Sequence, residues 1–535
     1  MPTLKESIEF EANRRRTFAI ISHPDAGKTT LTEALLLLGG AIHEAGVVKG
    51  KKSRRAATSD WMEIEKQRGI SVTSTVLQFQ YQGLHLNILD TPGHEDFSDD
   101  TYRTLTAADS VVMLIDAAKG VEPQTIKLFQ VCKMRHIPIF TFINKMDREG
   151  RDPLDLLKEL EDVLGIQSYP MSWPAGMGVD FQGVYHRFRH SFEPFRGRQA
   201  KDQFLDVADL ADPQLREMMG SNQAEKLAED VLLLDVAGED FDRERVNRGE
   251  LTPVFFGSAI THFGVRSFLD AFVEMAPGPA PRRKTDGSTL ETASPFAGFV
   301  FKIQANMNPA HRDRVAFLRI CSGKFERGMT VNHVRLNRNI NLTQSQHFFA
   351  QDRTTANEGY PGDIIGIHDP GLFQIGDTLS ANGGFQFEPL PQFSPEHFAR
   401  VTVTDTLKYK QFHKGLQQLT EEGAIQLFRM SNRTEDLILG VVGRLQFEVF
   451  EYRMKSEYGA DVTLSFLPFK YARWLSAVKV EDIDYDRSSC FLVQDQNGRN
   501  VMLFDSDFSL RWVANKNPEL TLSPTSNAFT QGTEV

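Results

Sequence analysis

A chain of 535 residues exceeds what one hydrophobic core serves and reads as three or four domains. Its 41% hydrophobic content suits globular folding, while 71 acidic against 60 basic side chains give a formal charge of −11, which excludes a broad nucleic-acid face and leaves RNA contact to local patches. Three scattered cysteines with no CxxC pair exclude a disulfide framework and point to a reducing cytoplasm, and no run reaches the ~18 apolar residues of a membrane helix.

The triplet Arg14, Arg15, Arg16 lacks the apolar segment of an export signal behind it. Instead Phe18 to Ser22 reads as a short buried strand, and Thr29 to Leu38 as a helix closed by Gly39 and Gly40. Between them lie Ser22, His23, Pro24, Asp25, Ala26, Gly27, Lys28, Thr29 and Thr30, a strand-to-helix turn built to hold phosphate. Backbone amides at a helix N-terminus bind phosphate oxygens. Gly27 allows close approach, Lys28 reaches the outer phosphates, and the Thr29 hydroxyl is placed for Mg2+; Ser22 stands where the usual pattern has glycine.

A basic run follows, with Lys49, Lys51, Lys52, Arg54 and Arg55, which serves either as a solvated loop or as an RNA contact. In Arg68, Gly69, Ile70, Ser71 and Val72, the Ser71 hydroxyl could join Mg2+ only while a γ-phosphate is present, an order-to-disorder switch spanning about 49 to 71. Val72 to Tyr81 alternates, with Leu77, Phe79 and Tyr81 on one face and Gln78 and Gln80 on the other. Gln82 and Gly83 turn it into Leu84 to Asp90, a hairpin. At its end, Asp90 can hold the magnesium shell, Gly93 can sense the γ-phosphate through its amide, and His94 is the candidate that orients the attacking water. No arginine finger is identifiable, so intrinsic hydrolysis should be slow until a partner completes the site.

Val111 to Ile115 and Ile137 to Asn144 are further buried strands. The second ends in Asn144, Lys145, Met146 and Asp147; the Asp147 carboxylate can accept both N1–H and the exocyclic amine of guanine, and Lys145 can lie along the ring. Between Asp147 and Ser258 about a hundred residues carry their own helical pattern, too long for a loop, and read as an inserted subdomain at about 160–250. After the strand Pro253 to Ser258, Ser258 and Ala259 would offer a backbone amide to guanine O6. This α/β GTP-binding domain runs over 1–280.

Pro-rich residues 275–281 break helix and strand and form a linker. Short strands separated by turns over 281–388 predict a β-barrel domain, and mixed strands and helices over 389–515 an α+β domain. Residues 516–535, rich in Ser, Thr, Asn and Gly, predict a flexible tail.

The phosphate loop SHPDAGKTT, the switch RGISV, DTPGH and NKMD, in that order, resemble the translational GTPases of the elongation factor G and Tu group. SDWMEIEKQRGISV, DTPGHEDFSDDTYRTLTAADS and INKMDREGRDP in the first domain, FVFKIQANMNPAHRDRVAF in the second, and EEGAIQLFR with VGRLQFEVFEYRMKSEYG in the third are similar to the branch of that family that acts in termination. The resemblance implies a cytoplasmic, ribosome-stimulated GTPase that uses Mg2+ and turns GTP into GDP. It further implies a monomer away from membranes whose partners are the 70S ribosome, through rRNA and ribosomal proteins, and the class I peptide chain release factors it helps to remove. The family usually has Thr at the position of Ser71, and either residue supplies the hydroxyl.

Overall fold

The computed structural model describes residues 3–42, 65, 71–196, 204–207, 209–238, 240–306, 314–349, 352–390, 393–430, 433–476 and 480–525. The basic run from Lys49 to Arg55 and the switch residues Arg68 to Ile70 lie outside them, as do residues 526–535.

The first domain is a seven-stranded sheet in the order Thr75–Tyr81, Leu84–Asp90, Arg15–Ser22, Ser110–Asp116, Ile139–Asn144, Leu251–Phe256, Gln167–Pro170. All pairs are parallel except the hairpin between the first two strands. Ser110–Asp116 is buried along its whole length because helices cover both faces, which is why it reads as a continuous apolar run. One apolar layer holds Met113, Ile115 and Leu128; the other holds Phe18, Leu114 and Phe272. A helix at Leu4–Asn13 precedes the sheet, started by a capping box in which Thr3 and Glu6 exchange side-chain and backbone bonds.

Gln167–Pro170 belongs to this main sheet, so the insertion begins later in the chain than residue 160. Its own four-stranded sheet runs Leu205–Asp206, Ser191–Pro194, Gly183–His186, Ser172–Ala175, accompanied by the helices Pro213–Met219, Ser221–Ala237 and Arg243–Asn247.

The second domain is an antiparallel sheet of eight strands, with Ala297–Ala305 and Arg314–Ser322 at its centre. Ala297–Ala305 is buried on both sides: Val300 and Ile303 enter the barrel core, whereas Phe299 and Phe301 pack with the first domain's layer. Of the polar face of the first-domain hairpin, Gln78 is covered by this barrel while Gln80 stays exposed, and the neighbouring strand Arg15–Ser22 meets the barrel too. Gln78 donates to the Ile364 carbonyl at 2.9 Å, Thr17 donates to the Gly362 carbonyl at 2.6 Å, and Arg15 lies 3.1 Å from Asp363. Gly362 has φ +104°, and a Cβ there would fall 2.7 Å from that of Arg15, so the turn requires glycine.

The third domain is a second eight-stranded antiparallel sheet, ordered Val462–Leu467, His397–Val403, Arg433–Val441, Gln426–Met430, Cys490–Asp495, Asn500–Phe504, Tyr471–Leu475, Leu522–Ser523. Helices Tyr409–Glu421 and Leu445–Tyr458 pack on it through Phe412, Leu416, Phe450 and Met454. The last strand corrects the expectation of a flexible tail from 516: Leu522–Ser523 pairs with Trp474–Leu475, and Leu520 is buried beneath it. Backbone pairing there outweighs the polar composition.

Candidate nucleotide site

Parallel strands carry their C-terminal ends to one edge, where βα turns gather. At this edge Ser22, Asp90, Asp116 and Asn144 end four strands, and Asp116 lies in register with Asn144.

The phosphate loop leaves the first of these. Ser22 is buried and its hydroxyl donates to the His23 carbonyl at 2.9 Å, so serine fits where glycine is usual. The His23 ring is also buried, 2.8 Å from Glu122; burial holds its imidazole below the usual range against the pull of that carboxylate. His23 therefore braces the loop by its side chain and leaves phosphate to the backbone. Pro24 is half-buried and Asp25 exposed, with Asp25 at φ 67°. Gly27 takes φ +99°, and a Cβ on it would meet Nδ2 of Asn144 at 2.5 Å, a position only glycine fills. Thr29 and Thr30 stand half-buried in the first turn of the helix Lys28–Leu38.

Nζ of Lys28 sits 2.6 Å from Oδ1 of Asp90, joining the loop to the end of its neighbouring strand. The other oxygen of Asp90, Oδ2, is buried and makes no hydrogen bond. An unsatisfied buried carboxylate oxygen at the mouth of the phosphate loop is chemistry suited to a hard cation. Among the described residues no three acidic, histidine or cysteine side chains cluster as a metal site. Ser71 is half-buried, four residues before the strand that begins at Thr75.

After Asp90 the Thr91 hydroxyl donates to the Ile20 carbonyl at 2.7 Å and pins the turn. Gly93 lies against the His23–Pro24 backbone, where an added Cβ would be 3.5 Å from the Pro24 nitrogen. His94 is 37% exposed, with Nδ1 accepting from the Asp96 amide at 3.3 Å.

The base end is closed by side chains. Asn144 donates from Nδ2 to the Ala26 carbonyl at 2.8 Å and accepts the Ala259 amide at Oδ1, also at 2.8 Å, so it joins the phosphate loop to the last loop of the site. Lys145, in the left-handed region at φ 72°, is held by the Asp25 carbonyl and by Asp116, each at 2.6 Å. Burial raises the Asp116 carboxyl, but Lys145 and the Ala118 amide outweigh it and keep it below the usual range. Asp147 accepts from the Ser258 hydroxyl at 2.6 Å. The Ser258 amide is spent on the Phe263 carbonyl and the Ala259 amide on Asn144, so guanine O6 would have to displace Asn144 to take the latter. Two contributors are not apparent from sequence: Asp116, whose signal is a carboxylate ending a buried strand, and the side chain of Ser258 as a brace for Asp147.

Residues 13–278 match the family model described as Elongation factor Tu GTP binding domain, residues 295–382 Elongation factor G domain 2, and residues 387–514 Class II release factor RF3, C-terminal domain. The chain is 57% identical over 527 residues to Peptide chain release factor 3 of Symbiobacterium thermophilum, covering 98% of this chain and 100% of that one. It is 55% identical to the protein of that name from Listeria innocua and 54% to that from Ligilactobacillus salivarius, each over 97% of this chain and 99% of the relative. A crystal structure of a Thermus thermophilus protein superposes with a TM-score of 0.68 at 23% identity, over 92% of this chain and 72% of that one, and shares the fold.

Proposed function

The chain belongs to the peptide chain release factor 3 family, and from that premise we propose that it acts on the terminating ribosome, hydrolysing GTP there and promoting departure of class I release factors after the peptide is freed. It is a GTPase that binds GTP and GDP. The observation that carries the assignment of roles is the mutual closure of the three loops: Lys28 on Asp90, Asn144 on Ala26 and Ala259, and Lys145 on Asp25 and Asp116.

In this reading the amides of residues 22–30 cradle the phosphates at the start of the helix Lys28–Leu38. The Lys28 ammonium exchanges Asp90 for phosphate oxygens, which releases that carboxylate. Thr29, Ser71 and Asp90 are the residues that would hold Mg2+, whose chemistry is to neutralise charge on the outer phosphates. The Gly93 amide senses the γ-phosphate. Asp147, oriented by Ser258, accepts from guanine N1–H and the exocyclic amine, and adenine offers no such pair of donors. Lys145 covers one face of the base, while Asn144 holds the loops together. His94 orients water for in-line attack, a role that suits a half-exposed imidazole directly after the γ-phosphate sensor.

Its place of work would be the cytoplasm, as a monomer that meets 70S ribosomes through rRNA and ribosomal proteins. Among the described residues no helix is long and apolar enough to cross a membrane. Release complexes carrying a labelled class I factor test the proposal. The factor should leave faster with this protein and GTP than with buffer, and an unchanged departure rate would refute the function.

A further inference from the structure

The turn that carries His94 is fastened to the third domain. Oδ2 of Asp96 accepts the Leu445 amide at 2.6 Å, at the start of the helix Leu445–Tyr458. The first amides of a helix have no partner within it and carry the positive end of its dipole, so a carboxylate is the favoured group there. Arg444 stands at the N-cap without a side-chain cap bond, and Gln446 turns back to accept the Val442 and Gly443 amides ahead of the helix rather than that of Leu445. The cap comes from the first domain, 349 positions away in sequence. Gly443 makes room for it, since a Cβ on that residue would collide with the Asp96 carboxylate. The residue next to Asp96 reinforces the joint: Phe97 packs with Val72 and Val449, flanked by Leu445 and Tyr452.

Asp96 meets His94 at the same time. Its amide donates to Nδ1 at 3.3 Å, and its Oδ1 lies 3.3 Å from the same nitrogen. Where Nδ1 accepts, a neutral ring carries its proton on Nε2. One residue thus touches the imidazole through its backbone and the third-domain helix through its carboxylate.

We infer that Asp96 is a positioning residue, a latch through which the third domain sets the orientation of His94 during ribosome-stimulated hydrolysis. The inference rests on the role given to His94 above. A shift of the third domain moves the Leu445 amide, the amide moves Asp96, and Asp96 turns the imidazole. Nucleotide binding does not pass through this latch, because the phosphate loop and Asn144 to Asp147 make their contacts without it.

The test attacks the latch from both sides. Asp96→Ala removes the carboxylate, and Gly443→Ala blocks its seat; Gly443 is not at positive φ, so alanine fits its backbone. Steady-state GTP hydrolysis on 70S ribosomes should show kcat lowered about tenfold or more in each variant, with KM for GTP and affinity for GDP unchanged. The intact GDP affinity also verifies folding. The double variant should be no slower than either single one, because both break the same contact. Asp96→Asn, which keeps an oxygen for the Leu445 amide, should recover most of the rate. Wild-type kcat in Asp96→Ala and Gly443→Ala alongside an impaired His94→Ala would overturn the latch and leave the role of His94 standing. Losses that multiply in the double variant would overturn it too. Full turnover by His94→Ala would remove the reading beneath it, and the latch with it.

Discussion

The two ends of the nucleotide site are held by different parts of the molecule. At the base end, every partner of Asn144, Lys145 and Asp147 named above lies within the first domain. At the switch end several partners come from the other domains. Asp96 holds the Leu445 amide, Arg103 donates to the Gly423 carbonyl at 3.2 Å, and Lys302 of the barrel lies 3.4 Å from Asp100 and 2.5 Å from the Ser74 carbonyl. On the proposed reading, recognition of guanine is a local property, and the turn that carries His94 answers to the placement of the other two domains.

The sharpest way to isolate the base end is Asp147→Asn. An amide reverses one hydrogen-bond polarity toward the purine, so GTP affinity should fall about a thousandfold while xanthosine triphosphate gains, as competition binding would reveal. Unaltered GTP affinity would erase the contrast between the two ends. At the switch end, Lys302→Ala removes the nearer of two cations from the half-buried Asp100 carboxylate and leaves Arg103 at 3.9 Å. Burial raises that carboxyl, but Lys302, Arg103 and Ser74 together keep it below the usual range. Loss of one partner of a buried pair costs about 3 kcal/mol, so the melting midpoint should drop by several degrees with GDP affinity intact. A matching loss of GDP affinity would show that the two ends are not separable.

The smallest effect belongs to Asp99, buried among Arg103, Gln426 and Phe393 at the same joint and pushed up to about 6 by that burial. A carboxyl whose folded pKa exceeds its unfolded value binds protons more tightly when folded, so its contribution to stability is lost as pH rises from about 4 to about 6. Asp99→Asn should flatten the fall of the melting midpoint across that window. An unchanged slope would place the source of the pH dependence elsewhere.

What can be read from sequence is the chemistry of contiguous motifs. Lys28, Asp90 and Asn144 to Asp147 announce themselves because residue type and local turn together define the role. The chain-distant contacts are silent: Asp96 and Leu445 are each unremarkable alone, and only the docking of two domains makes one the cap of the other. Asp116 needs the register of parallel strands, which pairs it with Asn144. The strands Cys490–Asp495 and Asn500–Phe504 are hard to read because their burial does not alternate, and Leu522–Ser523 because composition alone does not reveal a pairing partner. The Leu4–Asn13 helix, by contrast, carries a legible signal in Thr3 and Glu6, three residues apart.

The central claim, that GTP cleavage waits on the other domains and on the ribosome, is tested most directly by measuring single-turnover GTP hydrolysis with and without 70S ribosomes at saturating nucleotide. The account predicts slow cleavage by the free protein and an acceleration on ribosomes of about a thousandfold, the size of effect that completing a GTPase site produces. Equal rates in the two conditions would contradict it.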